Sequence, residues 1–396
     1  MPVNRHRSAP IATPSWRPGR RLLAACLLCL AAGAQGATDY RIVTFTDGLS
    51  IPWCLAFLPD GRMLVTERAG RLRFVAPDGT LGAPLEGVPE PYVRSQGGLF
   101  DVLPAQDFQT TGTVYLSYAG GTPEANNTRV VRAQLTDEGL VDAAQVFAVS
   151  PTKDTPAHYG GRLAWHGEHL LLTTGDGFDY REAAQDPASQ LGKTLRFAVD
   201  GSVPADNPFA SATDGTDPYV FTSGHRSPQG LVVTPDGEVF QHEHGPQGGD
   251  ELNRLVAGQN YGWPLVGYGR DYSGALISPF ERLPAYAEPE VHWTPSIAAS
   301  GLAFYAGDRF PQWRGDLFVG ALIEQSVRRV DLAAGRVVGE EILFTEIGER
   351  IRDVRTGPDG YLYVLTDTEL TETSSGRILR IEPAAVSAPA NQTTGR

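Results

Sequence analysis

The chain has 396 residues, of which 20% are charged, and its formal net charge at pH 7 is −13. An acid excess of this size repels phosphate backbones and anionic lipid, so the composition argues against nucleic acid and membrane surfaces as partners. It also suits the binding of a divalent cation. A chain of this length holds two average domains or one large β domain, so the number of domains has to come from the repeats.

The first 37 residues predict an export signal. They contain five arginines and no acidic residue, and an apolar run over residues 22–34 is followed by small residues. A basic region, an apolar region and a small-residue cleavage site in this order form a signal peptide. The apolar run is too short for a helix that spans a bilayer. We therefore expect residues 1–37 to be removed, and the mature protein to be periplasmic or secreted without stable membrane insertion.

Loss of this segment changes the charge and the cysteine content. Removal of its five arginines takes the formal charge from −13 to about −18. Cys26 and Cys29 leave with it, so Cys54 is the single cysteine of the mature chain. A disulfide within the mature chain is therefore excluded, although an exported protein meets an oxidising compartment. Stability has to come from the core.

The remainder of the chain predicts short β-strands. Gly (45) and Pro (30) are frequent, helical periodicity is nearly absent, and alternating strands repeatedly follow Asp-Gly turns, as at Asp60-Gly61, Asp236-Gly237 and Asp359-Gly360. Such turns between alternating runs are typical of antiparallel β structure. Candidate repeat units cover residues 52–76, 97–135, 159–199, 228–260, 299–332 and 351–382. Their spacing of roughly 40–60 residues is that of propeller blades.

We therefore expect an all-β fold, a six-bladed β-propeller of four-stranded antiparallel sheets that occupies residues 38–383 as a single domain. A two-sheet β-sandwich is the structural alternative, because it also has many short strands with turns between them. Residues 384–396 are rich in Ala, Pro, Ser and Thr and have too little apolar surface to pack, so they are predicted to be disordered.

Five polar segments accompany the predicted units, at residues 95–99, 158–163, 224–230, 245–253 and 350–354. Each is placed where a blade begins, and the beginnings of propeller blades converge around one opening. A glycine pair closely follows His158 and allows close approach of the backbone. The segment 245–253 sets backbone carbonyl groups beside two carboxylates, and calcium prefers oxygen ligands of these kinds. A plain acidic surface loop is the alternative for this segment.

Other cofactor and metal motifs are absent from the sequence. No glycine-rich loop follows a strand and opens a helix, which argues against a nicotinamide dinucleotide. His242, Glu243 and His244 lack the helical spacing of a zinc protease. On a strand, His242 and His244 share one face, and a structural role at the end of a blade is the alternative to a functional one.

In this order, the five segments resemble the soluble aldose sugar dehydrogenases, relatives of soluble glucose dehydrogenase that use pyrroloquinoline quinone (PQQ). The resemblance extends over residues 52–382. It implies that His158 is the general base for the anomeric hydroxyl of the sugar, and that Gln96 contacts both cofactor and substrate. It also implies that Arg226 lies beside the reacting quinone carbonyl, where a fixed cation stabilises the negative charge that builds up.

The resemblance further implies which residues hold the cofactor. Arg350 and Arg352 match the pair that binds the cofactor carboxylates, and their spacing puts both guanidinium groups on one face. Two cofactor positions depart from the family pattern, because Ser227 stands where an asparagine is usual and Ile323 where a lysine is usual. Loss of one charged hydrogen bond costs about 1.5–3 kcal/mol, which weakens a site that keeps two arginines and a metal without abolishing it.

Calcium is the metal that the resemblance implies. The carbonyl groups of Gly245 and Pro246 match the ligands of a calcium ion at the quinone, where it acts as a Lewis acid. Glu251 and the carbonyl group of Tyr261 match a second, structural calcium site.

The predicted activity is the PQQ- and calcium-dependent oxidation of an aldose sugar at its anomeric carbon to the lactone, with electrons leaving to an exported acceptor. Two alternatives stay open. A calcium-dependent lactonase on a similar propeller needs the metal and a carboxylate base, but not an arginine pair. A non-catalytic carbohydrate-binding propeller is favoured by the departures at Ser227 and Ile323. The sequence allows a monomer or a homodimer and does not identify the preferred sugar.

Overall fold

The computed structural model describes residues 39–368 and 375–384. The predicted signal peptide, and the predicted disordered tail beyond Ala384, lie outside the described residues. Within those ranges the strands form six four-stranded antiparallel sheets arranged as a six-bladed β-propeller, which confirms the fold predicted from the repeats. No helix there is long and apolar enough to cross a membrane.

The described part of the chain begins with β1 (Tyr40–Ser50) and then forms five blades in sequence. Blade 1 consists of β2 (Pro52–Phe57), β3 (Met63–Glu67), β4 (Arg71–Val75) and β5 (Leu81–Pro84). Blade 2 consists of β6 (Leu99–Pro104), β7 (Thr113–Thr122), β8 (Ala125–Leu135) and β9 (Leu140–Ala148). Blade 3 consists of β10 (Leu163–His166), β11 (His169–Thr173), β12 (Lys193–Phe197) and β13 (Val220–Ser223). Blade 4 consists of β14 (Pro228–Val233), β15 (Val239–Glu243), β16 (Asp250–Leu255) and β17 (Val291–Trp293). Blade 5 consists of β18 (Ala299–Phe304), β19 (Leu317–Ala321), β20 (Val327–Ala333) and β21 (Arg336–Leu343).

The sixth blade combines the two ends of the described chain. Its inner strands are β22 (Arg350–Thr356), β23 (Leu362–Asp367) and β24 (Ser375–Pro383), and β1 is its outermost strand. The pairing of β1 with β24 is antiparallel and sets Tyr40 opposite Pro383. This closure joins the last blade to the N-terminal strand, so the described chain forms a ring. The helical elements are short: α1 (Phe108–Thr111) and the 3-10 turns Arg181–Ala184, Pro311–Trp313 and Thr345–Ile347.

The apolar core lies between neighbouring blades. All five residues of β19 are buried, whereas β21 alternates between more and less exposed positions, as expected for an inner and an outer strand. Between blades 2 and 3, the ring of Phe147 stacks on that of Phe197 at 4.5 Å. Between blades 1 and 2, the ring of Trp53 lies 5.3 Å from that of Phe100. Aromatic contacts of this kind hold adjacent blades together.

Cys54 lies in the interior as a free thiol. Its Sγ atom is 2.6 Å from Oδ1 of Asp101, which belongs to the neighbouring blade. Burial raises the pKa of this thiol well above its usual value, and the carboxylate of Asp101 raises it further. The side chain is therefore a polar contact between two blades and is not an accessible nucleophile.

The predicted turns and segments occupy two opposite ends of the blades. The Asp-Gly turns at residues 60, 236 and 359 join the first and second strands of blades 1, 4 and 6. The segments at 95–99, 158–163, 224–230 and 350–354 lead into or begin the first strands of blades 2, 3, 4 and 6. The segment at 245–253 was expected to begin a blade, and this is wrong, because it forms the turn from β15 into β16. In an antiparallel sheet that turn lies at the same end as the start of the first strand, so all five segments still converge.

Candidate functional site

A cavity of about 280 Å³ lies at the end of the propeller where these segments meet. Every blade contributes to its lining, so it is centred on the propeller axis. Its apolar wall consists of Ile51, Trp53, Phe100, Tyr159, Leu322 and Ile323. Its polar residues include Arg68, Gln96, Gln229, His244, Arg350, Arg352 and Asp367. An apolar wall with a few convergent polar groups is the usual construction of a small-molecule site.

Arg350 and Arg352 enter this cavity from the start of β22, so residues two apart do share a face. Oδ2 of Asp367 lies 4.0 Å from Nε of Arg350 and 3.4 Å from Nη2 of Arg352. Burial lowers the pKa of Arg352 to about 10, although Asp367 acts in the opposite direction. The Nε atoms of both arginines are buried and make no hydrogen bond to any residue that the structure describes. Two cations thus share one carboxylate, and the cavity suits an anionic ligand such as the PQQ carboxylates.

Gln96 and His158 meet beside this cavity. The backbone N–H of His158 donates to Oε1 of Gln96 at 2.8 Å. Gln96 lines the cavity, as do Tyr159 and Gly160, which directly follow His158. His158 itself adopts a positive φ of 51° and is 5% exposed, so its ring is held in a single environment.

Asp176 is the residue of this site that the sequence interpretation missed. Its Oδ1 atom lies 2.6 Å from Nδ1 of His158, and its Oδ2 atom accepts a hydrogen bond from Nε1 of Trp263 at 2.8 Å. The carboxylate therefore fixes the His158 tautomer with Nδ1–H, which leaves Nε2 as a proton acceptor. The available sequence signal was a carboxylate between two glycines, Gly175 and Gly177, shortly after the apolar run that forms β11.

The charges around His158 oppose one another. Burial lowers the pKa of His158 below its usual value, the hydrogen bond to Asp176 raises it, and the cations of Arg226 and Lys153 lower it. Since burial is the largest of these effects, the imidazole is neutral around pH 7. A neutral imidazole that keeps a lone pair on Nε2 is competent as a general base.

The loop that carries His158 is anchored by the buried side chain of Lys153. Its Nζ donates to Oδ1 of Asn126 at 3.1 Å and to the carbonyl oxygen of Thr155 at 2.5 Å. The ammonium lies 3.5 Å from the ring centroid of Tyr159, one of the aromatic residues that line the cavity. Burial lowers the pKa of Lys153 to about 7. These contacts fasten the loop to the β7–β8 hairpin.

Arg226 lies close to His158, on the side of blade 4. Its backbone carbonyl accepts a hydrogen bond from the N–H of Asp176 at 2.8 Å. Its Nη1 atom donates to the carbonyl oxygens of His244 at 3.0 Å and Gly245 at 2.8 Å. The guanidinium is thereby fixed, and it is buried at 5% exposure. Arg226 and His158 border the main cavity without lining it.

The predicted metal ligands lie around two smaller spaces next to the main cavity. One of about 20 Å³ is lined by Arg226, His244, Gly245, Pro246 and Glu251, and His244 also lines the main cavity. Another of about 10 Å³ is lined by Glu251 and Tyr261. Within the described ranges, no group of three or more His, Cys, Asp or Glu side chains is arranged to hold a metal ion. A metal here would thus depend on backbone carbonyl oxygens, which are suitable calcium ligands.

Glu251 shows why a cation fits this region. Nδ2 of Asn253 lies 3.3 Å from both Oε2 of Glu251 and Oε1 of Glu243. Burial, and to a smaller extent the neighbouring Glu243 carboxylate, raise the pKa of Glu251 to about 8. A divalent cation between or beside two carboxyl groups that share one amide donor reduces the repulsion between their negative charges. The residues present therefore fit the calcium ions that the resemblance implies.

The remaining predicted residues have different surroundings. Ser227 is buried and does not line the cavity, but its Oγ lies 3.4 Å from Nε2 of Gln229, which does. Ile323 is 66% exposed and lines the cavity. His242 and His244 each place Nε2 2.8 Å from a carbonyl oxygen of blade 5, which agrees with the structural interpretation of His242.

Comparison with known proteins gives consistent matches along nearly the whole described chain. The sequence model of the family Glucose / Sorbosone dehydrogenase matches residues 49–380. The chain is 40% identical to the aldose sugar dehydrogenase YliI of Escherichia coli (strain K12) over 366 residues, which are 90% of this chain and 97% of that protein.

Solved structures match in the same way. The crystal structure of a glucose dehydrogenase superimposes with a TM-score of 0.82 at 43% identity and covers 87% of this chain and 100% of that one. The PQQ-bound form of the aldose sugar dehydrogenase from Streptomyces coelicolor superimposes with a TM-score of 0.72 at 25% identity, covering 87% and 99% of the two chains.

Proposed function

The chain belongs to the glucose/sorbosone dehydrogenase family, and on that premise we propose that it is a sugar dehydrogenase that oxidises aldoses at the anomeric carbon with PQQ and calcium. One observation carries the proposal. The arginine pair of β22, which shares a single carboxylate, lies in the same cavity as Gln96, and Gln96 is hydrogen-bonded to the oriented His158. A site for an anionic cofactor and a general base are thus adjacent.

The chain's own residues supply the cofactor site. Arg350 and Arg352 would hold the carboxylates of the quinone, and Trp53 and Tyr159 provide aromatic surface for its flat rings. Gly245 keeps a carbonyl lone pair beyond the one that accepts from Arg226, so with Pro246 it would bind calcium. When bound, PQQ supplies a two-electron acceptor and calcium supplies a Lewis acid.

A second calcium ion would be held by Glu251 and the carbonyl group of Tyr261, which share a space beside blade 4. The Glu251 carboxyl, whose pKa burial raises to about 8, would gain a counter-charge there. Calcium at this position would stabilise the fold and would take no part in the chemistry.

His158 would act as the base of the reaction. Its Nε2 atom accepts the proton of the anomeric hydroxyl while the hydrogen at C1 leaves as hydride, so the sugar loses two electrons and becomes the lactone. Asp176 holds the tautomer and stabilises the imidazolium that forms. Arg226 provides a fixed cation where negative charge develops, and Gln96 orients the loop and the bound molecules.

The proposal includes export of the protein and transfer of its electrons to a second exported protein. The arginine-rich N-terminus with its apolar run supports export to the periplasm or beyond, and the electrons would then pass to an exported carrier. The acid excess suits a basic carrier.

The direct test is reconstitution of the purified protein. Aldose, an artificial dye acceptor and calcium are supplied with and without PQQ, and both dye reduction and lactone formation are measured. We expect both to require PQQ. Hydrolysis of added sugar lactones without PQQ would instead identify a lactonase, and sugar binding without any turnover would identify a non-catalytic carbohydrate-binding propeller.

A further inference from the structure

Arg68 is a third arginine of the main cavity, in addition to Arg350 and Arg352. It follows β3 and lies in the turn from β3 into β4. One of its terminal nitrogens, Nη1, donates to the carbonyl oxygen of Ser95, next to Gln96. That bond uses one of the five N–H donors of an arginine.

The charge of Arg68 is not compensated by the described part of the chain. Its guanidinium forms no ion pair with any residue in the described ranges, whereas Arg350 and Arg352 both face Asp367. A cation that lines a cavity without a carboxylate partner attracts an anionic ligand. The cavity therefore contains more positive charge than the β22 pair alone supplies.

Arg68 and Ile323 lie on opposite sides of the arginine pair of β22. Arg68 lies in the turn between the second and third strands of blade 1, and Ile323 lies in the equivalent turn of blade 5. Blade 6 stands between these blades, since its first strand, β22, packs against both β2 and β18. Arg68 and Ile323 thus flank the arginine pair from its two sides, and one of the two equivalent positions is cationic while the other is apolar.

We propose that Arg68 is a cofactor-binding residue that holds a carboxylate of PQQ. This rests on the proposed function, and it adds a contact from blade 1. PQQ has three carboxylates, whereas the two guanidinium groups of β22 already share Asp367. Arg68 supplies the further cation from the neighbouring blade, and its bond to Ser95 links cofactor binding to the segment that carries Gln96.

The test is the affinity of the protein for PQQ. Binding is followed in the presence of calcium by quenching of tryptophan fluorescence, because Trp53 lines the cavity. Arg68→Gln should weaken binding by about tenfold to a hundredfold, the loss expected for one charged hydrogen bond, and Arg68→Lys should lose less. The matched control is Arg94→Gln, an exposed arginine of the same loop region, which should bind like the wild type.

A second variant separates charge from structure. If the loss in Arg68→Gln is a loss of charge, adding Ile323→Lys should recover part of the affinity from the other side of the arginine pair. Thermal unfolding without PQQ should be unchanged in Arg68→Gln. Wild-type affinity for PQQ in Arg68→Gln would overturn the assignment. A lower affinity for PQQ would also overturn it if the unfolding temperature fell as well and adding Ile323→Lys recovered none of the affinity. Failure of the wild type to bind PQQ would overturn the proposed function, and this assignment with it.

Discussion

Nδ1 of His158 lies 2.6 Å from Oδ1 of Asp176, and this hydrogen bond connects the loops of blade 3 that carry the two residues. Asp176 accepts two further hydrogen bonds at 2.8 Å, from the N–H of Phe178 and from Nε1 of Trp263. Three donors thus converge on one carboxylate. Because the carboxylate is held on all sides, the orientation and tautomer of His158 are set before any ligand binds.

Asp176→Asn should lower turnover by tenfold or more, a part of the ~10²–10⁴ that a positioned base contributes. An amide cannot accept from all three donors, since its NH₂ group has to face one of them. Turnover is compared with that of Asp154→Asn, whose carboxylate accepts from the exposed Tyr180 hydroxyl and should tolerate the change. Equal turnover in the two variants would remove Asp176 from the mechanism.

The pH dependence of kcat/KM provides an independent check of Asp176. Burial lowers the pKa of His158, so the rate should rise with pH along a limb below the ordinary histidine value of about 6.5 and be level near neutrality. Asp176 raises the pKa of His158, so its removal should move the rising limb to lower pH. A merely structural effect of Asp176→Asn would lower the rate and leave the limb in place.

His158→Gln should lose at least a hundredfold in turnover, because general base catalysis is worth about 10²–10⁴ in rate. The glutamine keeps a polar side chain of similar reach, so the affinity for PQQ should stay within about twofold, as a change below about 0.5 kcal/mol implies. Both quantities are measured on the same preparation. Retention of more than about a tenth of wild-type turnover would show that another group is the base.

Gly175→Ala should displace the backbone of His158. An added Cβ would lie 2.2 Å from the carbonyl oxygen of His158 and 2.9 Å from its Cβ, so the backbone has to shift. We expect the free energy of unfolding to fall by about 1–3 kcal/mol and turnover to fall with it. Gly339→Ala in β21 is the matched control, since its nearest neighbour would be 3.9 Å away. A Gly175→Ala protein as stable and active as the control would contradict the placement of His158.

Ile323→Lys should tighten PQQ binding, because it adds a cation to the cavity. The increase should be only about threefold to tenfold, because an exposed ammonium attracts a carboxylate less strongly than a buried one does. The side chain lines the cavity and is 66% exposed, so a lysine fits there without repacking. Ile323→Gln, which is polar and uncharged, is the control. Unchanged affinity in the lysine variant would show that position 323 does not face the bound quinone.

The blades were predictable from the sequence because their signals are local. Each Asp-Gly turn sits between two strands that pair with each other, so turn chemistry and alternation locate the unit directly. The closing strand was not predictable in this way. Residues 40–50 pair with residues 375–383 at the far end of the sequence, and no local sequence pattern predicts which strand pairs with β1 across that separation.

The candidate site was only partly predictable for the same reason. The segments around Gln96, His158 and Arg226 stand out by composition, and the structure brings them together at one end of the propeller. Asp176 and Arg68 each lie in a turn between a second and a third strand, where a charged residue is ordinary. Asp176 and Arg68 are identified as site residues by the groups that lie near them in the folded chain, and the linear sequence does not show which groups those are.

A single turnover without any electron acceptor tests the proposed oxidation of aldoses most directly. Protein loaded with PQQ and calcium is mixed anaerobically with an aldose, or with the same aldose deuterated at C1, and the quinone absorption and the lactone are recorded. We expect one reduction per bound quinone, an equal amount of lactone, and a slower reaction with the deuterated sugar. An unchanged spectrum of the bound, oxidised quinone in the presence of aldoses would contradict it.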